Sequence, residues 1–216
     1  QEVYSLVLEG GRVIDPETGL DAVRNVGITN GEIVAISEKK LTANEVINVS
    51  GKVVAPGFID LHTHSPTKLG QDYQALGGVT TALELEIGSY PIDAYGDEIS
   101  KSPRINFGSS VGHLPIRFRV KMGLEVSHIV KMGSPKPINI NGYWTAVKSL
   151  FSQPDEGTTE LASVPEKQEI LARLSEGLDN GALGIGLGLD YVSDGVDQAE
   201  LDMIFDLASE RGVPVF

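Results

Sequence analysis

The stretch that decides the fold is Ala55-Pro56-Gly57-Phe58-Ile59-Asp60-Leu61-His62-Thr63-His64. An apolar run follows a Pro-Gly breaker and closes on two histidines two residues apart. Asp60, His62 and His64 have the same parity, so on one strand they point to one face. Two neutral imidazoles so placed can reach one metal ion at about 2.0–2.1 Å. The plainer alternative is a polar strand end that happens to carry two histidines.

On the N-terminal side, residues 4–37 read as short strands. Tyr4 to Leu8 is β-rich, and Gly10-Gly11 suggests a turn into Arg12-Val13-Ile14. Asn25 to Ile28 and Glu32 to Ile36 flank Thr29-Asn30-Gly31, and Asn-Gly between alternating runs is a strong hairpin signal. Val46 to Val49 and Lys52 to Val54 add further strands. The expected first domain is therefore a small β-unit over residues 1–52, with a second domain over 53–216.

On the C-terminal side the chain alternates strand and helix. Val79 to Ile87, Arg104 to Val111 and Ala182 to Leu189 read as strands, and Val213 to Phe216 as the start of another. Ser163-Val164-Pro165-Glu166 has the form of a capping box with proline in the first helical turn. Ile170, Leu171, Leu174 and Leu178 follow at helical spacing. Asp197 to Glu200 repeats the capping pattern. Leu201, Ile204, Phe205 and Ala208 then form an apolar stripe, and Gly212 is a natural stop. Such alternation predicts βα units around a parallel sheet. Residues 114–160 show no sustained period and read as a long loop excursion on the rim.

Composition narrows the function. Net charge is −13, against a nucleic-acid partner, because phosphate binding needs a basic surface. No apolar run approaches the roughly 20 residues needed to span a bilayer. The 216 residues contain no cysteine, which excludes disulfides, thiolate ligands and a cysteine nucleophile. Glu84 and Glu86 share a face in Ala82-Leu83-Glu84-Leu85-Glu86-Ile87, and two carboxylates in an apolar strand are costly unless paired or metal-bound. Gly184, Gly186 and Gly188 alternate, leaving one strand face bare for tight packing or for substrate. Arg117 and Arg119 read either as a bidentate clamp for a substrate carboxylate or as solvated loop charges. His128 has no supporting pattern.

The segment Ala55 to His64 resembles the first barrel strand of the amidohydrolase superfamily, metal-dependent TIM barrels with a small β-sandwich attached. Gly11-Arg12-Val13-Ile14-Asp15-Pro16 through Asn30-Gly31-Glu32-Ile33 resembles the start of that sandwich. Gly78-Val79-Thr80-Thr81 resembles the entry to the second strand, and Val111-Gly112-His113 the end of the third. Asn180 to Tyr191 is similar to the fourth strand of the D-aminoacylase branch, and within it to N-acyl-D-glutamate deacylases.

The resemblance implies an α/β fold: the N-terminal half of a (β/α)8 TIM barrel preceded by part of a β-sandwich. It implies amide hydrolysis, in particular deacylation of small-molecule N-acyl-D-amino acids, by water activated on one or two Zn2+ ions or another divalent metal. The metal ligands expected here are His62, His64 and Glu86, with Glu84 as the rival to Glu86. The branch uses a cysteine near this point, where this chain aligns Ile87. Asp60, His113 and Tyr191 are expected to orient ligands or touch substrate. His113 and Tyr191 also read as an ordinary polar cap and a packing residue. The catalytic Asp of the family lies on the eighth strand, outside this sequence. Residues 182–191 contain no lysine, which weighs against relatives whose metals are bridged by a carboxylated lysine.

About four βα units are legible, where a full barrel has eight. The expectation is a partial barrel that pairs with a complementary segment or with itself. Two further readings stand: another amidohydrolase reaction, on cyclic amides or dipeptides, and a non-catalytic half-barrel assembly module. The start at Gln1 and the resemblance to exported relatives lean toward a periplasmic or exported protein, with the cytoplasm as the alternative.

Overall fold

The computed structural model describes residues 3–64, 66–97, 99–123 and 158–216. The chain divides into two compact units, Gln1–Gly57 and Phe58–Phe216.

The first unit is a five-stranded sheet. β1 (Val3–Asp15) pairs antiparallel with β2 (Leu20–Thr29), which pairs antiparallel with β3 (Glu32–Ser37). β4 (Thr42–Asn48) and β5 (Val53–Val54) run parallel to β1. Tyr4, Val7, Val13 and Val26 are its buried apolar residues. The Asn30-Gly31 hairpin forms as the sequence indicates, with both residues at positive φ (54° and 81°), the backbone a tight two-residue turn requires. Gly10-Gly11 does not turn the chain. It bends one continuous strand through a register shift between Leu8 and Gly11. Gly10 is needed there because its φ is +77° and a Cβ would lie 2.7 Å from Ser50 Oγ. Val53 and Val54 pair in this sheet, with Arg12 and Val13 of β1.

The second unit is built on a parallel sheet, β6 (Phe58–Asp60), β7 (Val79–Ser89), β8 (Asn106–Gly112) and β9 (Ile185–Gly186), in sequence order. α1 (Lys68–Leu76) connects β6 to β7. α2 (His113–Met122) and α3 (Val164–Asp179) lie between β8 and β9. α4 (Gln198–Arg211) leads to Val215, which bridges in parallel to Ile185. Sequential parallel strands with helical crossovers are the first half of a (β/α)8 barrel. Its core is Val111, Ile116, Ile170, Leu174, Ile185, Ile204 and their neighbours.

The helix signals in the sequence are largely realised. Ser163 N donates to Glu166 Oε2 at 2.7 Å, closing the expected capping box. Ile170 and Leu174 are fully buried beneath α3, while Leu171 and Leu178 pack at its flank. On α4, Asp197 accepts from Glu200 N at 2.9 Å and Gly212 ends the helix with φ +63°. Phe205 departs from the stripe and is 52% exposed, its place in the core taken by Leu207.

Residues 114–122 are helical where the sequence suggested loop, and His113, read as the end of the third strand, opens the helix. The helix is hard to see because polar and apolar residues do not segregate along it. Residues 124–157, including His128, lie outside the described residues. Among the described residues no helix is long and apolar enough to cross a membrane.

Candidate metal centre

Strand β6 ends at Asp60, earlier than the sequence suggested, and His62 and His64 lie in the segment beyond it. That segment is pinned from several sides. Asp60 Oδ1 accepts from His62 N at 3.1 Å. His62 bridges to Glu84, and Thr63 N donates to Leu83 O at 3.2 Å. Thr63 turns inward, and its Oγ1 accepts from Gln74 Nε2 of α1 at 2.8 Å. With Thr63 inside, both neighbouring imidazoles project the other way, and their ring centroids lie 5.0 Å apart. Asp60 thus acts on the backbone of His62. Thr63 and Gln74, which the sequence did not single out, hold the segment.

The carboxylates come from an irregular part of β7. Glu84 pairs with Ser109 and Ser89 with Val111, so residues 85–88 bulge out of the β7–β8 ladder. Bulges next to sites redirect side chains and leave backbone groups to be satisfied otherwise. Here Ser110 Oγ donates to Leu85 O at 2.7 Å, and Ser109 Oγ lies 3.2 Å from Glu84 O. The adjacent serines of β8, Ser109 and Ser110, are the sequence trace of this support.

Four side chains meet as a result. Glu84 Oε2 lies 2.5 Å from His64 Nδ1. Glu86 Oε2 lies 3.1 Å from His62 Nε2 and 3.7 Å from His64 Nε2. His62, His64 and Glu86 each offer one ligand atom within 4.8 Å of the others. Glu84 is 3% exposed, and burial pushes its carboxyl above the ordinary value while the contact with His64 opposes that shift. Ile87, at the position where the sequence comparison expected a cysteine, is buried against Leu114 and Val192.

This arrangement fits a divalent metal. Glu86 Oε2 is buried and has no hydrogen-bond partner, although two imidazole nitrogens face it. Donors each about 2.1 Å from a tetrahedral zinc lie roughly 3.4 Å from one another. The observed 3.1 and 3.7 Å bracket that spacing. Two nitrogens and one carboxylate oxygen are also a donor set that zinc accepts, with a position left open.

The remaining sequence candidates have the following surroundings. Tyr191 is on a 3-10 turn, Leu189–Tyr191, and is half exposed. His113 opens α2, fully buried, with Nε2 2.8 Å from Glu200 Oε1. Arg117 is neither a substrate clamp nor a solvated charge. It is fully buried, and its Nη1 donates to both Glu200 oxygens. Desolvation works to raise the Glu200 carboxyl, yet the hydrogen bonds from His113 and Arg117 outweigh it and hold the group below its ordinary value. The bare face of the fourth strand serves packing: a Cβ on Gly186 would lie 2.6 Å from Leu85 O, and one on Gly184 2.5 Å from Pro214 O.

No family model matches the chain. It is 28% identical over 243 aligned residues to the N-acyl-D-glutamate deacylase of Alcaligenes xylosoxydans xylosoxydans, covering 98% of this chain and 43% of that protein. It is 45% identical over 89 residues to the dihydroorotase of Streptococcus pneumoniae serotype 4, which is 36% of this chain and 21% of that protein. Among solved structures, it superposes on an N-acyl-D-glutamate deacylase from Bordetella bronchiseptica, complexed with zinc and a phosphonate inhibitor. The TM-score is 0.70 at 23% identity, over 99% of this chain and 44% of that one. A D-aminoacylase from a subset of the amidohydrolases gives a TM-score of 0.67 at 22% identity, over 98% and 44%. The chain spans less than half the length of these relatives, and its fold is that of their TIM-barrel architecture in part.

Proposed function

We propose that this chain carries the metal-binding first half of an amidohydrolase active site that removes the acyl group from N-acyl-D-amino acids. The observation that carries the reading is the convergence of His62 Nε2, His64 Nε2 and Glu86 Oε2, with the glutamate oxygen buried and unbonded. Support for the reaction class comes from the likeness to N-acyl-D-glutamate deacylase, which runs along nearly the whole chain.

In this reading His62, His64 and Glu86 hold one zinc ion, and Glu86 does the work that a cysteine does in the D-aminoacylase branch. The metal, when bound, lowers the pKa of a water molecule and polarises an amide carbonyl. The chain's own residues set the stage for that chemistry. Thr63 and Gln74 fix the segment bearing the imidazoles, and the β7 bulge brings Glu86 to them. A general acid–base carboxylate and the groups that hold the substrate come from a complementary barrel segment or from a second copy of this one.

A cyclic-amide hydrolase is the second reading, favoured by the 45% identity to a dihydroorotase over part of the chain. Against it, residues 182–191 offer no lysine to bridge two metals.

The test is metal analysis of the purified protein together with hydrolysis of N-acyl-D-amino acids, cyclic imides and dipeptides. Stoichiometric zinc and turnover of the first class alone are expected. Absence of bound metal and of any hydrolysis, with the complementary segment supplied, would favour a non-catalytic assembly module.

A further inference from the structure

The two nitrogens of His64 face two different carboxylates. Nδ1 lies 2.5 Å from Glu84 Oε2, and Nε2 lies 3.7 Å from Glu86 Oε2. The carboxylates differ in setting. The Glu84 side chain is 3% exposed, while that of Glu86 is 31% exposed. Glu84 is therefore held inside the sheet against the inner nitrogen of the ring, and Glu86 stands at its outer nitrogen.

A neutral imidazole carries one proton, on one nitrogen, and offers a lone pair on the other. An ionised carboxylate only accepts, so a short contact to Nδ1 calls for the proton to sit there. The lone pair then falls on Nε2, the nitrogen that faces Glu86. The contact is shielded from water, where a hydrogen bond to a charged acceptor is stronger than in bulk solvent. Glu84 is thus poorly placed as a ligand, because its contacting oxygen is on the wrong side of the ring from the convergence point.

We propose that Glu84 is a positioning residue that fixes His64 as the Nδ1–H tautomer and aims its Nε2 lone pair at a metal shared with His62 and Glu86. The inference rests on the metal reading above and deepens it. The two glutamates of Glu84-Leu85-Glu86 then divide the work, the buried one orienting an imidazole and the outer one binding. Loss of a carboxylate that orients a ligating imidazole costs about 10–100-fold in metal affinity.

The test compares wild-type protein with Glu84→Gln and Glu84→Leu in two measurements. One is zinc affinity by competition with a chromophoric chelator. The other is the tautomer of His64 in the zinc-free protein, from long-range 1H–15N correlation of the imidazole ring. The expected result is an Nδ1–H signature for His64 in the wild type. In Glu84→Leu that signature is lost and zinc binding is about 10–100-fold weaker. Glu84→Gln has the same shape as the native residue and keeps the test available where the leucine variant does not fold; zinc binding weaker by about 10-fold is expected for it. Wild-type protein that binds zinc while both folded variants bind it within twofold overturns this inference alone, as does an Nε2–H tautomer in the wild type. Wild-type protein that binds no zinc overturns the metal reading and this inference with it.

Discussion

Arg117 on α2 donates through Nη1 to both carboxylate oxygens of Glu200 on α4, at 2.7 and 2.8 Å, with both side chains out of solvent. The other terminal nitrogen of the guanidinium is also used: Nη2 donates to Glu160 O and Gly195 O. His113 completes the group from the start of α2. The cluster ties two helices and two loops together. It also explains why the Asp197–Glu200 pair is only half a capping box. Asp197 caps the helix, but the Glu200 side chain turns inward to the cation.

Breaking this pair strands a buried charge. Arg117→Met is expected to cost roughly 3–5 kcal/mol, because Glu200 then loses its main counter-charge away from water. Urea denaturation of the variant and of the doubly changed Arg117→Met/Glu200→Leu protein checks it. The double variant recovers part of the loss, since apolar replacement of both partners removes the stranded charge.

The same cluster sets an acid limit. Glu200 and Asp197 both have carboxyls held below their ordinary values, Asp197 first through its hydrogen bond from Lys167. Groups depressed in the folded state contribute stability that is full above the unfolded pKa of about 4 and lost as pH falls through the folded value. Stability is thus expected to be flat from pH 7 to 5 on their account and to fall below about pH 4. Asp197→Asn, which still caps the helix, should flatten part of that fall in urea midpoints measured at pH 6 and pH 3.

Zinc is expected to protect the fold. At 100 times its dissociation constant, a ligand that binds only the native state adds about 2.7 kcal/mol. Thermal melts of wild-type protein should therefore shift upward with added zinc, and melts of Glu86→Gln or His62→Ala should not. An equal shift in all three would place the metal elsewhere.

Gly186→Ala is expected to destabilise by about 1–3 kcal/mol, the usual cost of forcing a methyl into a packed interior. Its Cβ would lie 2.6 Å from Leu85 O and 2.8 Å from Glu86 O, which are the backbone of the bulge that carries Glu86. Zinc affinity should fall with stability. Gly181→Ala meets no atom within 4 Å at its new Cβ, though its φ is +94°. It is expected to lose stability in urea denaturation while keeping its zinc affinity in the same chelator competition.

Most of the strands, the two long helices after residue 160 and the pair of histidines are legible in the sequence, while α2 is not. Local signals carry that information: alternation of apolar residues, the Asn30-Gly31 turn, the Ser163–Glu166 and Asp197 caps, and the breaker ahead of Phe58. Each acts over a few residues, so each can be read without knowing what lies across the fold. The tertiary structure decided what could not be read that way. Parity put Glu84 and Glu86 on one face, but only the bulge opposite Ser110 and the pinned Thr63 bring one to Nδ1 and the other to Nε2. Likewise Arg117 became a core residue because Glu200, 83 positions away, arrives beside it. Contacts of that range depend on how strands and helices are stacked, and no local pattern encodes the partner.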